Sequence, residues 1–252
     1  VAKKMTYRHK NAEKIQDITE SKVSATIAVD DTTRKIYEDG KVVLIDKPLH
    51  WTSFDAVRKI RGTLRIKKVG HAGTLDPLAT GLLIICTGKF TKKINEYMAQ
   101  EKEYTGTFTL GATTPTYDLE SEPTAIKDYT NVTENQIHTT TQQFIGQILQ
   151  KPPIYSAIKK QGTALYELAR RGEEVAIEPR KIFIKEFTIT KIELPVVHFK
   201  VVCSTGTYIR SLANDFGAAL GCGGYLSELR RTRIGECKVE AAKSINEFLQ
   251  EL

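Results

Sequence analysis

Residues 69–83 read VGHAGTLDPLATGLL, and Asp76 is their only charged side chain. Directly before them RKIRGTLRIKK, residues 58–68, carries six lysines or arginines and no acid. A carboxylate does covalent chemistry when it is ionised, held rigid and kept from bulk water. Pro77 fixes the chain after Asp76 and biases Asp76 away from helical geometry, while Gly70, Gly73 and Gly81 would let backbone approach a ligand closely. Asp-Pro pairs are common in plain surface turns. The length and apolar richness of this motif, next to so much positive charge, point instead to a reactive carboxylate beside a polyanion.

Composition narrows the setting. The chain has 252 residues, 40% of them hydrophobic and 27% charged, which suits one large soluble core or a core with a small appendage. A net charge of +7 admits nucleic acid, an acidic membrane surface or an acidic protein as partner. The longest fully apolar run is LLIIC, residues 82–86, too short to cross a bilayer, and the start VAKKMTYRHKNAEK lacks the apolar stretch of a signal peptide. A cytoplasmic protein without membrane contact is expected. Cys86, Cys203, Cys222 and Cys237 are widely spaced, so buried thiols are expected and no metal is implied. Neither GxGxxG after a strand nor GxxxxGK[ST] occurs, which argues against a nucleotide cofactor.

The elements that must hold Asp76 follow from period and capping. Residues 1–36 read as a polar extension, partly disordered, and residues 37–252 as the catalytic domain, the compact fold starting near Tyr37. Val42 to Ile45 predicts a strand. Thr52 with Asp55 opens a helix carrying Phe54, Val57 and Ile60 on one face before Gly62. Leu82 to Cys86 predicts a buried strand ending at Gly88, and Thr91 to Ala99 a short helix. EYTGTFTLG, residues 103–111, alternates as a half-exposed strand. A Thr133/Gln136 capping box predicts a helix with Ile137, Phe144, Ile145 and Ile148. Strands at 181–192 and 196–203 then lead to a helix of Ile209, Leu212, Ala213, Phe216 and Leu220 closed by Gly221, and Ser244/Glu247 opens a last helix. Without regular βαβ alternation, the expected class is α+β with a mixed, largely antiparallel sheet flanked by helices and loops.

GHAGTLDPLATGLL resembles the active-site signature of the TruB family of tRNA pseudouridine-55 synthases. Further stretches match in order: DKPLHWTS at 46–53, GKFTK at 88–92, KEYTG at 102–106, YSAIKKQGTALYELARRG at 155–172, GTYIRSLANDFG at 206–217 and YLSELRRTRIG at 225–235. The resemblance covers about residues 40–237 and implies the pseudouridine synthase fold. It further implies isomerisation of a uridine in the T-arm loop of tRNA, with base flipping, no cofactor and no metal. Asp76, Tyr208 and Arg210 become the catalytic residues. Asp76 acts as nucleophile on the sugar or as base at its 2′ position, Arg210 keeps Asp76 ionised, and Tyr208 lies near the base edge. His71, Tyr104, Leu229, Lys47 and Lys92 become the substrate-binding residues: Tyr104 stacks on the base, Leu229 walls it, His71 fills the gap in the RNA or touches its backbone, and the lysines make structural or phosphate contacts. Arg210 sits in the first turn of an apolar helix, where the dipole disfavours a cation, so it needs an anion there.

Two departures stand out. Pro115 occupies a position where many members have an acid, and no role is carried over to Asp118. The chain ends at Leu252, too soon for the C-terminal PUA domain of many members, so a short form is expected. A monomer is expected. The basic stretch 58–68, Lys89 to Lys93 and Arg230 to Arg233 are expected to contact the T-arm. The segment 152–178, with Tyr155, Lys159, Tyr166 and Arg170, is expected to rest on RNA more readily than on the core and to order when RNA binds. A tRNA-binding or remodelling protein with secondary catalysis is the alternative, though loss of Asp76, Tyr104 or Arg210 would have favoured it. A glycosidase would ordinarily need a second catalytic acid within the motif.

Overall fold

The run ATGLLIICT forms strand β3 (Ala79–Thr87), buried along nearly its whole length, and the main sheet grows from it. The computed structural model describes residues 28–156, 158–160, 162–173 and 175–252. In chain order the other strands are β1 (Val42–Lys47), β2 (Val69–Ala72), β4 (Lys102–Leu110), β5 (Ala112–Thr113), β6 (Ala125–Ile126) and β7 (Gly146–Gln150). They continue with β8 (Lys159–Lys160), β9 (Thr163–Ala164), β10 (Arg180–Glu193), β11 (Val196–Cys203), β12 (Gly224–Ile234) and β13 (Cys237–Lys238). The main sheet runs β1-β3-β12-β4-β11-β10-β7, with β2 added to β3 and β13 to β12. Among the described strand-to-strand pairings only β3 with β12 is parallel, Leu229 facing Ala79 and Arg231 facing Gly81. The sheet is therefore mixed and largely antiparallel, the α+β class its sequence predicts.

Helices α1 (Asp31–Asp39), α2 (Ser53–Leu64), α3 (Ile94–Ala99), α4 (Glu134–Thr141), α5 (Leu165–Arg170), α6 (Ile209–Ala219) and α7 (Ile245–Gln250) complete the described fold. None of the described helices is long and apolar enough to cross a membrane. Capping boxes at Thr52/Asp55, Thr133/Gln136 and Ser244/Glu247 start three of them, each cap worth about 0.5–2 kcal/mol. Along β3, Ala79 joins a cluster of Phe108, Phe187, Phe199, Phe216 and Leu212, whereas Leu83 and Ile85 join a second one with Val57, Ile60 and Phe248. Phe108 stacks on Phe199 with ring centroids 4.2 Å apart, and each buried phenylalanine contributes about 1.5–3 kcal/mol.

Several expectations shift. The part of the polar extension at 1–27 lies outside the described residues. α1 already begins at Asp31, ahead of the expected start near Tyr37, because Asp30 accepts from the Thr33 amide as N-cap and Tyr37 packs edge-on against Phe248. Phe54 is 55% exposed, since α2 buries Ser53, Ala56, Val57, Ile60 and Leu64 instead, and α2 runs through Gly62. The expected helix at 91–99 is a 3₁₀ turn, Gly88–Lys93, followed by α3. The Thr133 helix stops at Thr141; Gly146, at φ 93°, turns the chain, and Ile148 lies on β7, paired with Ile182 of β10.

Two glycines give a paired test by urea denaturation. Gly62→Ala, with nothing within 4 Å of the added methyl in a helix interior, is expected to stabilise by about 0.5–1 kcal/mol. Gly81→Ala is expected to destabilise by at least about 2 kcal/mol, because Gly81 has φ 101° and its Cβ would lie 2.3 Å from the Arg231 carbonyl oxygen.

Candidate active site

The six residues between β2 and β3, Gly73 to Leu78, form the loop that carries Asp76. Each part of it is tied to a different element. The Ser53 hydroxyl, at the start of α2, accepts from the Leu75 amide at 2.8 Å and donates to the Leu75 carbonyl at 3.3 Å. The His50 amide donates to the Pro77 carbonyl at 2.8 Å, and the Ala79 amide closes a turn on the Asp76 carbonyl at 3.0 Å. From below, the Arg231 guanidinium donates to the carbonyls of Gly73 at 3.2 Å, Thr74 at 3.3 Å and Leu82 at 2.8 Å.

Arg210 of α6 faces the loop. Its Nε lies 2.9 Å from Asp76 Oδ2 and 3.6 Å from Asp118 Oδ2. The Asp76 side chain is 36% exposed and that of Arg210 only 6%. The Nε–H makes no aligned hydrogen bond, so the pairing with Asp76 is one of charge and proximity. The other donors are spent on backbone: Nη1 on the Thr116 carbonyl at 3.2 Å and Nη2 on the Tyr155 carbonyl at 2.9 Å. The anion that Arg210 demands at a helix start is thus present twice. Burial pushes the Asp118 carboxyl up; Thr116 and Arg210 oppose that, and the Asp76 charge reinforces it. Asp76, Asp118 and Arg210 share a pocket whose apolar wall includes Leu78, Leu226 and Leu229.

The remaining expected residues fall in different places. Tyr104 lies on β4 opposite Arg231 and is buried in the core, its phenol pushed up by burial and drawn back by the Arg231 charge. Tyr208 is the N-cap residue of α6, held by Gln150, which accepts from its amide at 2.8 Å and donates to its carbonyl at 3.1 Å. Its half-buried phenol is pushed up by burial. His71, half-buried on β2, has its imidazole pushed down by burial and by Arg231, which favours the neutral ring. Lys92 is exposed on the turn Gly88–Lys93 and does not line the pocket.

Lys47 is fully buried and therefore structural rather than a phosphate contact. Its Nζ donates to the carbonyls of Pro48 at 2.9 Å and Trp51 at 2.6 Å, closing the turn before α2. Burial brings its pKa down to about 8, against the attraction of Asp76. The motif glycines also serve internal packing: a Cβ on Gly70 would meet Ile94 Cδ1 at 2.7 Å, and Gly81 makes room for Arg231. Arg230 to Arg233 is not a free basic cluster. Arg230 pairs with Asp46 at 2.6 Å, Arg233 with Glu101 at 2.8 Å, and Arg231 is buried. In the segment after β7, Pro152, Pro153, Ser156, Leu165 and Leu168 are buried.

Sequence reasoning missed Ser53 and Arg231 and gave Asp118 no role. Ser53 was hidden beside the stronger Thr52 cap signal. Arg231 was read with its charged neighbours, although it lies two residues from the inward Leu229, the period of one strand face.

Residues 61–209 match the family model described as TruB family pseudouridylate synthase (N terminal domain), and residues 210–252 that described as tRNA pseudouridylate synthase B C-terminal domain. The chain is 57% identical over 227 residues to tRNA pseudouridine synthase B of Flavobacterium johnsoniae, covering 87% of this chain and 99% of that one. It is 48% identical to the Chloroherpeton thalassium protein of the same name, covering 85% and 91%. The fold is similar to a chain in the crystal structure of a Cbf5-Nop10-Gar1 complex, with a TM-score of 0.67 and 30% identity over 86% of this chain. The match spans just over half, 56%, of that solved chain.

The buried lysine gives a pH test. Between about pH 8 and the ordinary lysine range, an unfolded chain binds a proton at Lys47 that the folded one has released, so stability rises with pH there. The unfolding free energy of the wild type minus that of Lys47→Met is expected to rise by roughly 3 kcal/mol from pH 8 to 10.5. A flat difference in parallel urea titrations would show that Lys47 titrates normally in the fold.

Proposed function

The chain belongs to the TruB family of tRNA pseudouridine synthases, and from that premise we propose that it isomerises uridine 55 in the T-arm loop of tRNA with Asp76 as the essential carboxylate. The observation that carries this reading is the Asp76 carboxylate held 2.9 Å from a buried Arg210 at the edge of an apolar-walled pocket. The reaction breaks the N-glycosidic bond, turns the uracil and joins the sugar to carbon 5, while a proton leaves carbon 5 and nitrogen 1 takes one up. Atoms and electrons balance within the nucleotide, so the reaction calls for neither oxidant nor cofactor. Because the target atoms are hidden in a stacked loop, the nucleotide flips into the pocket, at a cost of a few kcal/mol recovered by contacts to the base.

Asp76 then attacks the sugar as a nucleophile or takes the proton at its 2′ carbon. Both routes need an oriented carboxylate, and Arg210 Nε, 2.9 Å away, holds it in place. Leu229 and Leu226 support the ring, and Tyr208, whose phenol burial keeps protonated, is the candidate for proton transfer at the base edge. Tyr104 supports the base from the sheet, its closed position implying that substrate entry moves neighbouring groups. Phosphate contacts come chiefly from the exposed side chains of Arg58, Arg61, Arg65, Lys67 and Lys68.

Asp76→Asn is expected to abolish pseudouridine formation, to below a few per cent of wild type, while RNA affinity stays within about tenfold, since phosphate contacts supply most of the binding. Nucleoside chromatography with mass detection reads this directly, because the product is isomeric with uridine. A T-arm stem-loop is expected to reach a kcat/KM within about tenfold of full-length tRNA, a gap of about 1.4 kcal/mol. A hundredfold preference for the whole tRNA would place decisive contacts beyond the T-arm.

A further inference from the structure

Arg231 is among the largest fully buried side chains described, yet none of the described ion pairs includes it. The side chains that feel its charge are Lys47, His71, Lys102 and Tyr104, three bases and a phenol. A buried cation without a carboxylate partner is costly, and an apolar residue of similar volume would relieve that cost. What an apolar residue could not do is hold carbonyls. Each of the three Arg231 nitrogens donates to one, at Gly73 and Thr74 at the start of the Asp76 loop and at Leu82 on β3 beyond it, and the guanidinium also bonds the Tyr104 phenol.

The backbone around Arg231 is shaped for this clamp. Its Cα pairs with Gly81 of β3 on one side and with Tyr104 of β4 on the other. At Gly81 an added Cβ would lie 2.3 Å from the Arg231 carbonyl oxygen, so the close approach exists only because that residue is glycine. We propose that Arg231 is a positioning residue for the reaction: its guanidinium clamps the peptides two and three residues ahead of Asp76 to β3 and so fixes the carboxylate relative to Tyr104 on the neighbouring strand. This rests on the reading of Asp76 as the reacting carboxylate. Lysine would keep the charge but offers one nitrogen for three diverging carbonyls, so it cannot rebuild the clamp.

The test measures kcat, KM and RNA affinity on a T-arm stem-loop for the full chain and for Arg231→Lys, Gly73→Ala and Asp76→Asn. Gly73→Ala leaves Arg231 and Asp76 in place but disfavours the φ of 90° that directs the Gly73 carbonyl to the clamp; its Cβ would sit an ordinary 3.6 Å from Arg231 Nη1. Arg231→Lys is expected to lower kcat per folded molecule by about 100-fold and Gly73→Ala by at least about tenfold, with KM and RNA affinity within about threefold of wild type. A merely structural arginine would lower the melting temperature and the yield of folded protein but leave kcat per folded molecule intact. Wild-type kcat in folded Arg231→Lys, or in Gly73→Ala should the lysine variant not fold, overturns the proposal. If Asp76→Asn is inactive in that same experiment, the clamp alone is wrong; if Asp76→Asn is active, the reading of Asp76 falls and the clamp with it.

Discussion

The site depends on holding one carboxylate against a buried guanidinium, with most of its side chain out of water. Asp76 has lost about two-thirds of its side-chain exposure, and Arg210, nearly fully buried, supplies the compensating charge. Neither could be buried alone without a penalty of several kcal/mol. Arg210 is itself held by carbonyls of Thr116 and Tyr155, so the pair rests on the loop after β5 and on the segment after β7. That is why residues far apart in the chain must fold before the carboxylate is held in place.

A second carboxylate complicates the electrostatics. Asp118 lies within 3.6 Å of the same Arg210 nitrogen and is almost fully buried, which raises its pKa and weakens its competition for the guanidinium. Asp76, closer and more exposed, keeps the better claim. Lys47 and Arg231 add positive charge without forming ion pairs with either acid, each bonded to backbone carbonyls instead. Such a site favours negative charge wherever a substrate brings it, an arrangement suited to a polyanion entering beside the basic edge of α2.

The parts legible in the sequence were those with a local signal. Three capping boxes, the alternation of β4 and the buried run of β3 each state their structure within a dozen residues. The helix-start arginine at 210 also gave a local sign, because a cation there needs an anion, and two acids lie beside it. The misreadings came from tertiary competition. Ile148 continued an apolar helical pattern, but pairing with Ile182 of β10 and the turn at Gly146 won it for β7. Arg230 to Arg233 looked like a solvated basic cluster, while strand alternation, interrupted by register shifts on β12, turned Arg231 inward and set Arg230 and Arg233 against acids of other elements. Lys47 likewise gave no local sign that it would be buried.

One consequence follows from the way Arg210 is shared. The segment after β7 carries Lys159, Arg171 and other basic residues suited to RNA, and the Tyr155 carbonyl of that segment occupies Arg210 Nη2. The same segment is bonded again at Lys151, whose carbonyl accepts from the Ser211 hydroxyl, and its strand β7 holds Tyr208 through Gln150. A displacement of residues 151–156 by a bound RNA would therefore remove an acceptor from Arg210 and shift the residue that begins α6. Arg210 Nε is itself close to Asp76 but unaligned with it. Residues 151–156 and the Asp76 contact thus meet at one guanidinium.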